Sequence, residues 1–287
     1  MVKNSKVKYQ RILDHVVVGT PGSLLDAMRR GYLDTNAIRT FVLDEADNML
    51  EQSGLGDQTI RIKKLIKASH EYQIMLFSAT YPEHVKRFSE EFVPRSNQIF
   101  KRREELTVEE ILQICIDCDT VDQKYDLLCA LYDLLTVSQS IIFCQKKQTA
   151  DEIGHRMKED GHNVKVLHGN LTPEERDNII DDFRKGRFKV LISSNVLSRG
   201  IDITQISLVI NYDLPINYMG QVEPDVYLHR IGRTGRFGRR GVCVNFVHDR
   251  NMYLAIKELE ECFQTKMLHI SGNTELEEFQ KILKKIL

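Results

Sequence analysis

Short, near-continuous apolar runs recur along this chain, and they constrain its fold more than any other feature. They lie at 15–20 (HVVVGT), 39–44 (RTFVLD), 73–78 (QIMLFS), 140–144 (SIIFC), 164–168 (VKVLH), 188–193 (FKVLIS), 207–212 (SLVINY) and 242–247 (VCVNFV). Runs without a polar-apolar alternation suit parallel strands buried on both faces. Between them are stretches with helical signals. Thr172-Pro173-Glu174-Glu175 supplies an N-cap, a proline for the first turn and a capping-box glutamate, with Gly186 as the stop. Ile179, Ile180 and Phe183 give that helix its apolar face. Residues 146–160 read as a second helix closed by Gly161, and 274–287 as a third with one apolar stripe. Strand-helix alternation on this scale predicts an α/β protein with mainly parallel sheets. The polar stretch KRREELT at 101–107 reads as a linker, separating a block at 1–100 with three strand-like runs from one at 108–287 with five.

Composition narrows the class. Hydrophobic residues make up 42% of the chain and charged residues 28%, so a core can be buried. Forty Lys+Arg against 41 Asp+Glu exclude a wholly basic coat; any polyanion must be met by a local patch. No apolar run approaches the ~18 residues of a membrane span, and no hydrophobic stretch follows the basic N-terminus. Six dispersed cysteines do not make a disulfide scaffold. The expectation is a soluble protein of a reducing compartment without membrane insertion. Cys115-x-x-Cys118 has half a zinc-ribbon spacing, but no second pair follows. Phe77, Phe143 and Phe183 read as core.

Three segments carry chemistry. At 41–47 (FVLDEAD) an apolar strand ends in adjacent carboxylates, placing Asp44 and Glu45 where parallel sheets bind ligands. One acid can hold Mg²⁺ through water while the next acts on an attacking water; a solvated acidic turn is the plainer alternative. At 229–241 (HRIGRTGRFGRRG) five arginines alternate with glycines and no acid. This suits forked contacts to phosphate oxygens, against the alternative of a basic surface loop. At 194–202 (SNVLSRGID) Asp202 is suited to accept from a sugar hydroxyl, and Ser194 to donate to phosphate.

Together, TPG (20–22), DEAD (44–47), SAT (78–80), IIFCQ (141–145), SRGID (198–202) and HRIGRTGR (229–236) resemble, in kind and order, the motifs of DEAD-box RNA helicases. GLGDQ (54–58), NYDLP (211–215) and the long spacer before Tyr227 resemble the mRNA-export subgroup. The resemblance implies an RNA-dependent ATPase of two RecA-like parallel-sheet lobes, the first truncated, using ATP and Mg²⁺. It implies that Asp44 positions the metal through water and that Glu45 activates the attacking water. Ser78 and Thr80 couple nucleotide state to closure, and His229 bridges motifs. Gly200 and Asp202 contact the nucleotide, and Arg233 and Arg236 act as arginine fingers. Thr20, Gly22, His168, Gly169, Arg184 and Ser194 are implied to hold single-stranded RNA through its backbone, with little sequence preference. The subgroup further implies a Gle1-type activator and a nucleoporin as partners, with residence in cytoplasm and nucleus, including the cytoplasmic face of the nuclear pore.

A phosphate-cradling G-x-x-x-x-G-K-[ST] loop is expected upstream of TPG in such proteins. No Gly-Lys dipeptide occurs in these 287 residues. The expectation is therefore a well-formed second lobe beside a marginal first one. A catalytically silent RNA- or partner-binding module built on the second lobe is the alternative to an active helicase.

Overall fold

In the computed structural model, residues 11–51, 54–66, 71–100, 111–134, 139–194, 206–235, 240–272 and Lys281 are described. The chain divides into two units, Met1–Ile99 and Phe100–Leu287.

Unit 1 contains α1 (Pro21–Arg29), β1 (Thr40–Leu43), α2 (Ala46–Glu51), α3 (Leu55–Leu65), β2 (Gln73–Leu76) and α4 (Glu83–Phe92). The two strands pair in parallel, from Thr40↔Gln73 to Leu43↔Leu76. Leu43, Ala46 and Phe92 form the buried centre, with Phe41, Ile74, Leu76 and Phe88 packed against it. Phe92 stacks on Phe88 at 5.0 Å and meets Phe41 edge-on at 5.8 Å. Side chains alternate across a strand, so Val42 points away from this cluster and is 48% exposed. Phe77, expected in the core, is 54% exposed for the same reason: among the described residues only one face of this small sheet is covered. Residues 15–20, expected as a strand, join no ladder. An isolated Ile12↔Leu33 bridge is the nearest pairing, and Val16 and Val18 stand in solvent. Apolar content alone does not make a strand where no neighbour offers its hydrogen bonds.

Unit 2 contains β3 (Ile111–Asp117), α5 (Val121–Leu134), β4 (Gln139–Phe143), α6 (Lys147–Glu159), β5 (Val164–Leu167), α7 (Pro173–Arg184), β6 (Val190–Ser193), β7 (Ile206–Asn211), α8 (Pro224–Ile231), β8 (Gly241–Val247), α9 (Arg250–Cys262) and β9 (Leu268–Ser271). Its strands form one parallel sheet in the order β5-β6-β4-β7-β8-β3-β9. Successive residues feed opposite faces. Ile141, Phe143, Val209 and Cys243 pack with Phe183 of α7, Tyr227 of α8 and Ile256 of α9. Ile142, Leu208, Ile210 and Val244 pack with Leu128 of α5 and Ile153 of α6. Helices on both faces explain why these strands read as uninterrupted apolar runs. The expected helix at 274–287 lies, apart from Lys281, outside the described residues.

Helix α7 starts as its sequence dictates. Thr172 accepts from the Glu175 amide and Glu175 returns a bond from the Thr172 amide at 2.8 Å, closing a capping box. Gly154 of α6 lies so close to β5 that a Cβ there would overlap Cγ2 of Val166, a β-branched side chain with little freedom to move. Gly154→Ala is therefore expected to lower the stability of unit 2 by about 1–3 kcal/mol through overpacking, despite alanine's better helix propensity. Thermal unfolding of the full chain measures this.

Candidate functional site

In unit 1 the acidic turn and the Ser78-Ala79-Thr80 triplet follow the C-terminal ends of two paired strands. The Phe77 amide donates to the Leu43 carbonyl at 2.8 Å, and the Ala46 amide donates to the Phe77 carbonyl at 3.1 Å. Glu45 takes a left-handed φ of 50°, uncommon for a side-chain-bearing residue, where the chain leaves β1 for α2. The turn leaves Asp44 exposed, its Oδ1 accepting from the Glu45 amide at 2.9 Å, and Glu45 half-buried, with Asn48 Nδ2 3.4 Å from Oε2.

Both hydroxyls of the triplet converge on Asp47. Thr80 Oγ1 donates to Asp47 Oδ2 at 2.6 Å in a buried contact, and Ser78 Oγ accepts from the Asp47 amide at 3.1 Å. Asp47 is the residue that the sequence reading left out of the site, although it closes the same DEAD tetrapeptide. Ser78 and Thr80 are thus tied to the turn that carries Asp44 and Glu45 through Asp47, which is 1% exposed: Thr80 through its carboxylate and Ser78 through its amide. Thr20 and Gly22 lie apart from this joint in the chain: Thr20 is the N-cap residue of α1 without a side-chain capping bond, its hydroxyl 3.0 Å from Ser23 Oγ, and Gly22 is exposed in the first turn.

In unit 2, His168 and Gly169 follow β5 and Ser194 follows β6. These strands are neighbours, with Leu167 opposite Ser193. His168 Nδ1 accepts from the Asn170 amide at 3.3 Å, which leaves Nε2–H to donate to Asp151 Oδ1 at 3.0 Å. Lys147 bonds Asn170 at 2.8 Å, adding a cation to this end of the sheet. Arg184 does not join the group. Helix α7 begins beside His168 and runs back along the sheet. Its last turn lies at the strands' N-terminal end, where Gln139 of β4 donates to the Phe183 carbonyl at 2.7 Å. There Arg184 faces Asp181 at 3.7 Å. The arginine at the His168 end is Arg176, in the first turn, half-buried and with a buried Nε. The direction of a helix that follows a parallel strand was the available signal for choosing between them.

The arginine-rich segment splits into different roles. Arg230 is fully buried, its Nη1 donating to Asn211 Oδ1 at 3.0 Å and to the Asp213 carbonyl at 2.7 Å. It is a core residue of unit 2 and not a phosphate contact. His229 and Arg233 are also mostly buried, and Arg233 Nε donates to the His229 carbonyl at 3.0 Å. Thr234 ties this turn to the Ile206 carbonyl at 3.0 Å, the start of β7. The turn therefore sits at the opposite end of the strands from His168 and Ser194. Gly200, Asp202 and Arg236 lie outside the described residues.

Residues 2–88 match the DEAD/DEAH box helicase domain and residues 123–238 the helicase conserved C-terminal domain. The chain belongs to the DEAD-box helicase family. It is similar to the ATP-dependent RNA helicase dbp5 of Schizosaccharomyces pombe, 49% identical over 286 residues, covering all of this chain and 56% of that protein. Among solved structures, it resembles S. cerevisiae Dbp5 bound to RNA and ADP BeF3 at a TM-score of 0.89, with 46% identity over 99% of this chain and 72% of the other. A variant of S. cerevisiae Dbp5 bound to Nup159, Gle1, IP6 and ADP matches at a TM-score of 0.71, with 43% identity over 99% of this chain and 72% of that one. The chain spans little more than half the length of the curated relative. Among the described residues, no helix is long and apolar enough to cross a membrane.

Proposed function

We propose that this chain carries the motif-bearing portion of an RNA-dependent ATPase that remodels RNA–protein complexes during mRNA export. The observation that carries this reading is the Asp47–Thr80–Ser78 joint, which fixes an acidic turn at the end of one strand to a hydroxyl triplet at the end of its neighbour. An exposed Asp44 carboxylate beside Glu45 fits a hard cation such as Mg²⁺ held through water. When bound, that ion would neutralise charge on the nucleotide's phosphates. Glu45 is assigned to orient and deprotonate the attacking water, and Ser78 and Thr80 to pass the state of the turn into β2.

In unit 2, Arg233 and Arg236 are assigned to the phosphates, Gly200 and Asp202 to the nucleotide and His229 to bridging motifs, its carbonyl accepting from Arg233 Nε. Thr20, Gly22, His168, Gly169 and Ser194 are assigned to RNA phosphates and sugars, with Arg176 in the place first given to Arg184. RNA and ADP BeF3 bound to S. cerevisiae Dbp5 support both ligand classes, and the assembly with Nup159 and Gle1 supports a nucleoporin and a Gle1-type activator as partners at the nuclear pore.

A second reading, a silent RNA-binding module, is favoured by the contrast between the units. The seven-stranded sheet of unit 2 is cored on both faces, whereas Val42 and Phe77 of unit 1 stand half in solvent. ATP hydrolysis with and without single-stranded RNA separates the two, with Glu45→Gln as the blank for contaminating ATPase. RNA-stimulated turnover that the blank lacks supports the ATPase. Binding that weakens as salt rises, without turnover, supports the module.

A further inference from the structure

Strand geometry breaks the Cys115-x-x-Cys118 pair that the sequence presents. Cys115 belongs to the face beneath α8 and α9, and Cys118 to the face beneath α5 and α6. Residues three apart in an extended chain point to opposite sides. What β3 does place beside Cys115 is Asp117, two residues on and on the same side. Across the parallel ladder, the register partner of Cys115 in β9 is His269. One ligating atom from each of Cys115, Asp117 and His269 lies within 4.8 Å of the other two. From α9 above, Glu260 brings Oε1 to 3.5 Å from His269 Nε2. Glu260 is itself held by Lys257 at 2.7 Å and by the Met267 amide at 2.9 Å. Among the described residues, no hydrogen bond or ion pair engages the Asp117 carboxylate.

We propose that Cys115, Asp117 and His269 form a binding site for a divalent metal ion of borderline softness, of which zinc is the type, with Glu260 orienting His269. A thiolate, an imidazole and a carboxylate are the donors such an ion prefers, and three protein ligands leave a fourth position for water. A carboxylate on the second nitrogen of a metal-binding histidine fixes its tautomer and ring orientation. Bonds of about 2.0–2.3 Å in a tetrahedron set donor atoms roughly 3.3–3.8 Å apart. The site therefore closes by drawing the exposed Asp117 and His269 side chains over the buried Cys115 by about 1 Å. Without metal, burial and then the Asp117 and Glu260 charges push the Cys115 thiol up to about 12. Binding releases that proton, so affinity rises with pH, and the same two carboxylates attract the cation. The ion would clip β9, the outermost strand, to β3.

Cobalt(II) titration of the full chain tests this, because a thiolate ligand gives a charge-transfer band in the near ultraviolet. About one equivalent with such a band is expected, displaced by zinc. Cys115→Ser should abolish the band and Cys118→Ser should leave it. Asp117→Asn and His269→Gln, at exposed positions that do not threaten the fold, should each weaken cobalt binding at least about tenfold. Zinc should raise the thermal midpoint of the parent chain but not of His269→Gln. Absence of the band, its survival in Cys115→Ser, or unchanged affinity in both exposed variants would overturn the site.

Discussion

Arg230→Ala is expected to destabilise unit 2 by about 3–5 kcal/mol, the range for removing one member of a buried, hydrogen-bonded charge network. Arg230 is fully buried and stacks its guanidinium 5.0 Å from the centre of the Phe143 ring. Burial lowers its pKa to about 10, which leaves it charged at neutral pH. Its bonds to Asn211 Oδ1 and the Asp213 carbonyl feed two further chains of contacts. Asn211 donates to Asn245 at 2.8 Å, Asn245 donates to Tyr227 OH at 3.1 Å, and Tyr227 donates to Gln113 at 2.8 Å. The Asp213 carboxylate takes the buried Lys124 ammonium at 3.1 Å and the Gln145 amide at 2.9 Å. Alanine would leave Asn211 Oδ1 and the Asp213 carbonyl short of a donor and open a cavity against Phe143. Arg230→Lys should rescue only in part: an ammonium can serve the two acceptors that the single Nη1 meets, but it is more strongly hydrated and lacks the plane that stacks on Phe143. Arg230→Met, which keeps most of the volume and removes the buried charge, should cost less than alanine. Urea unfolding of the full chain reads the loss as a lower midpoint at unchanged slope. A loss below about 1 kcal/mol for alanine would mean that the network adds specificity rather than stability.

The same residue shows where sequence reading reached its limit. Five arginines among glycines form one basic cluster in the sequence, yet Arg230 faces inward because it occupies the buried side of α8 beside Tyr227 and Ile231. Strands β4, β6, β7 and β8 were legible because helices cover both faces and most positions are apolar or small, with Gln139, Asn211 and Asn245 the exceptions. In strand β3, Gln113 interrupts the apolar run. That glutamine is buried to receive the Tyr227 hydroxyl, so its polarity belongs to the core network. Strand β9 is four residues at the sheet's edge with Leu268 and His269 exposed, too short and too wet to stand out. The run at 15–20 misled in the other direction, since its valines suit a strand but no partner among the described residues pairs with it. In the candidate site, the adjacent Asp44 and Glu45 carboxylates were plain. The partner that binds Ser78 and Thr80 to them was not, because a contact across more than thirty residues depends on the β1–β2 register.

Thr80→Val should lower the stability of unit 1 by about 1.5–3 kcal/mol, the worth of a hydrogen bond to a charged acceptor. Valine keeps the shape of threonine and removes only the hydroxyl. The Asp47 carboxylate would then stay buried without its 2.6 Å donor, and the rest of the pocket would be unchanged. Asp47→Asn weakens the acceptor from the other side. A double-mutant cycle of the two isolates their interaction from any further contact of Asp47. A coupling of about 1.5–3 kcal/mol is expected if this bond is what joins the strand ends. Ser78→Ala should cost less, about 1 kcal/mol, because its oxygen accepts from a neutral amide at 3.1 Å. Unit 1 is the smaller of the two units, so the global midpoint that reads unit 2 is a poor readout for it. Hydrogen exchange at the amides of Asp47 and Phe77, which both lie at the joint, reports unit 1 alone. Loss of protection there in Thr80→Val, with the amides of β7 and β8 unaffected, would place the effect at the joint. Independent, additive losses in the cycle would instead mean that the acidic turn and the hydroxyl triplet respond separately, and that a change at Asp44 or Glu45 has no route through Asp47 into β2.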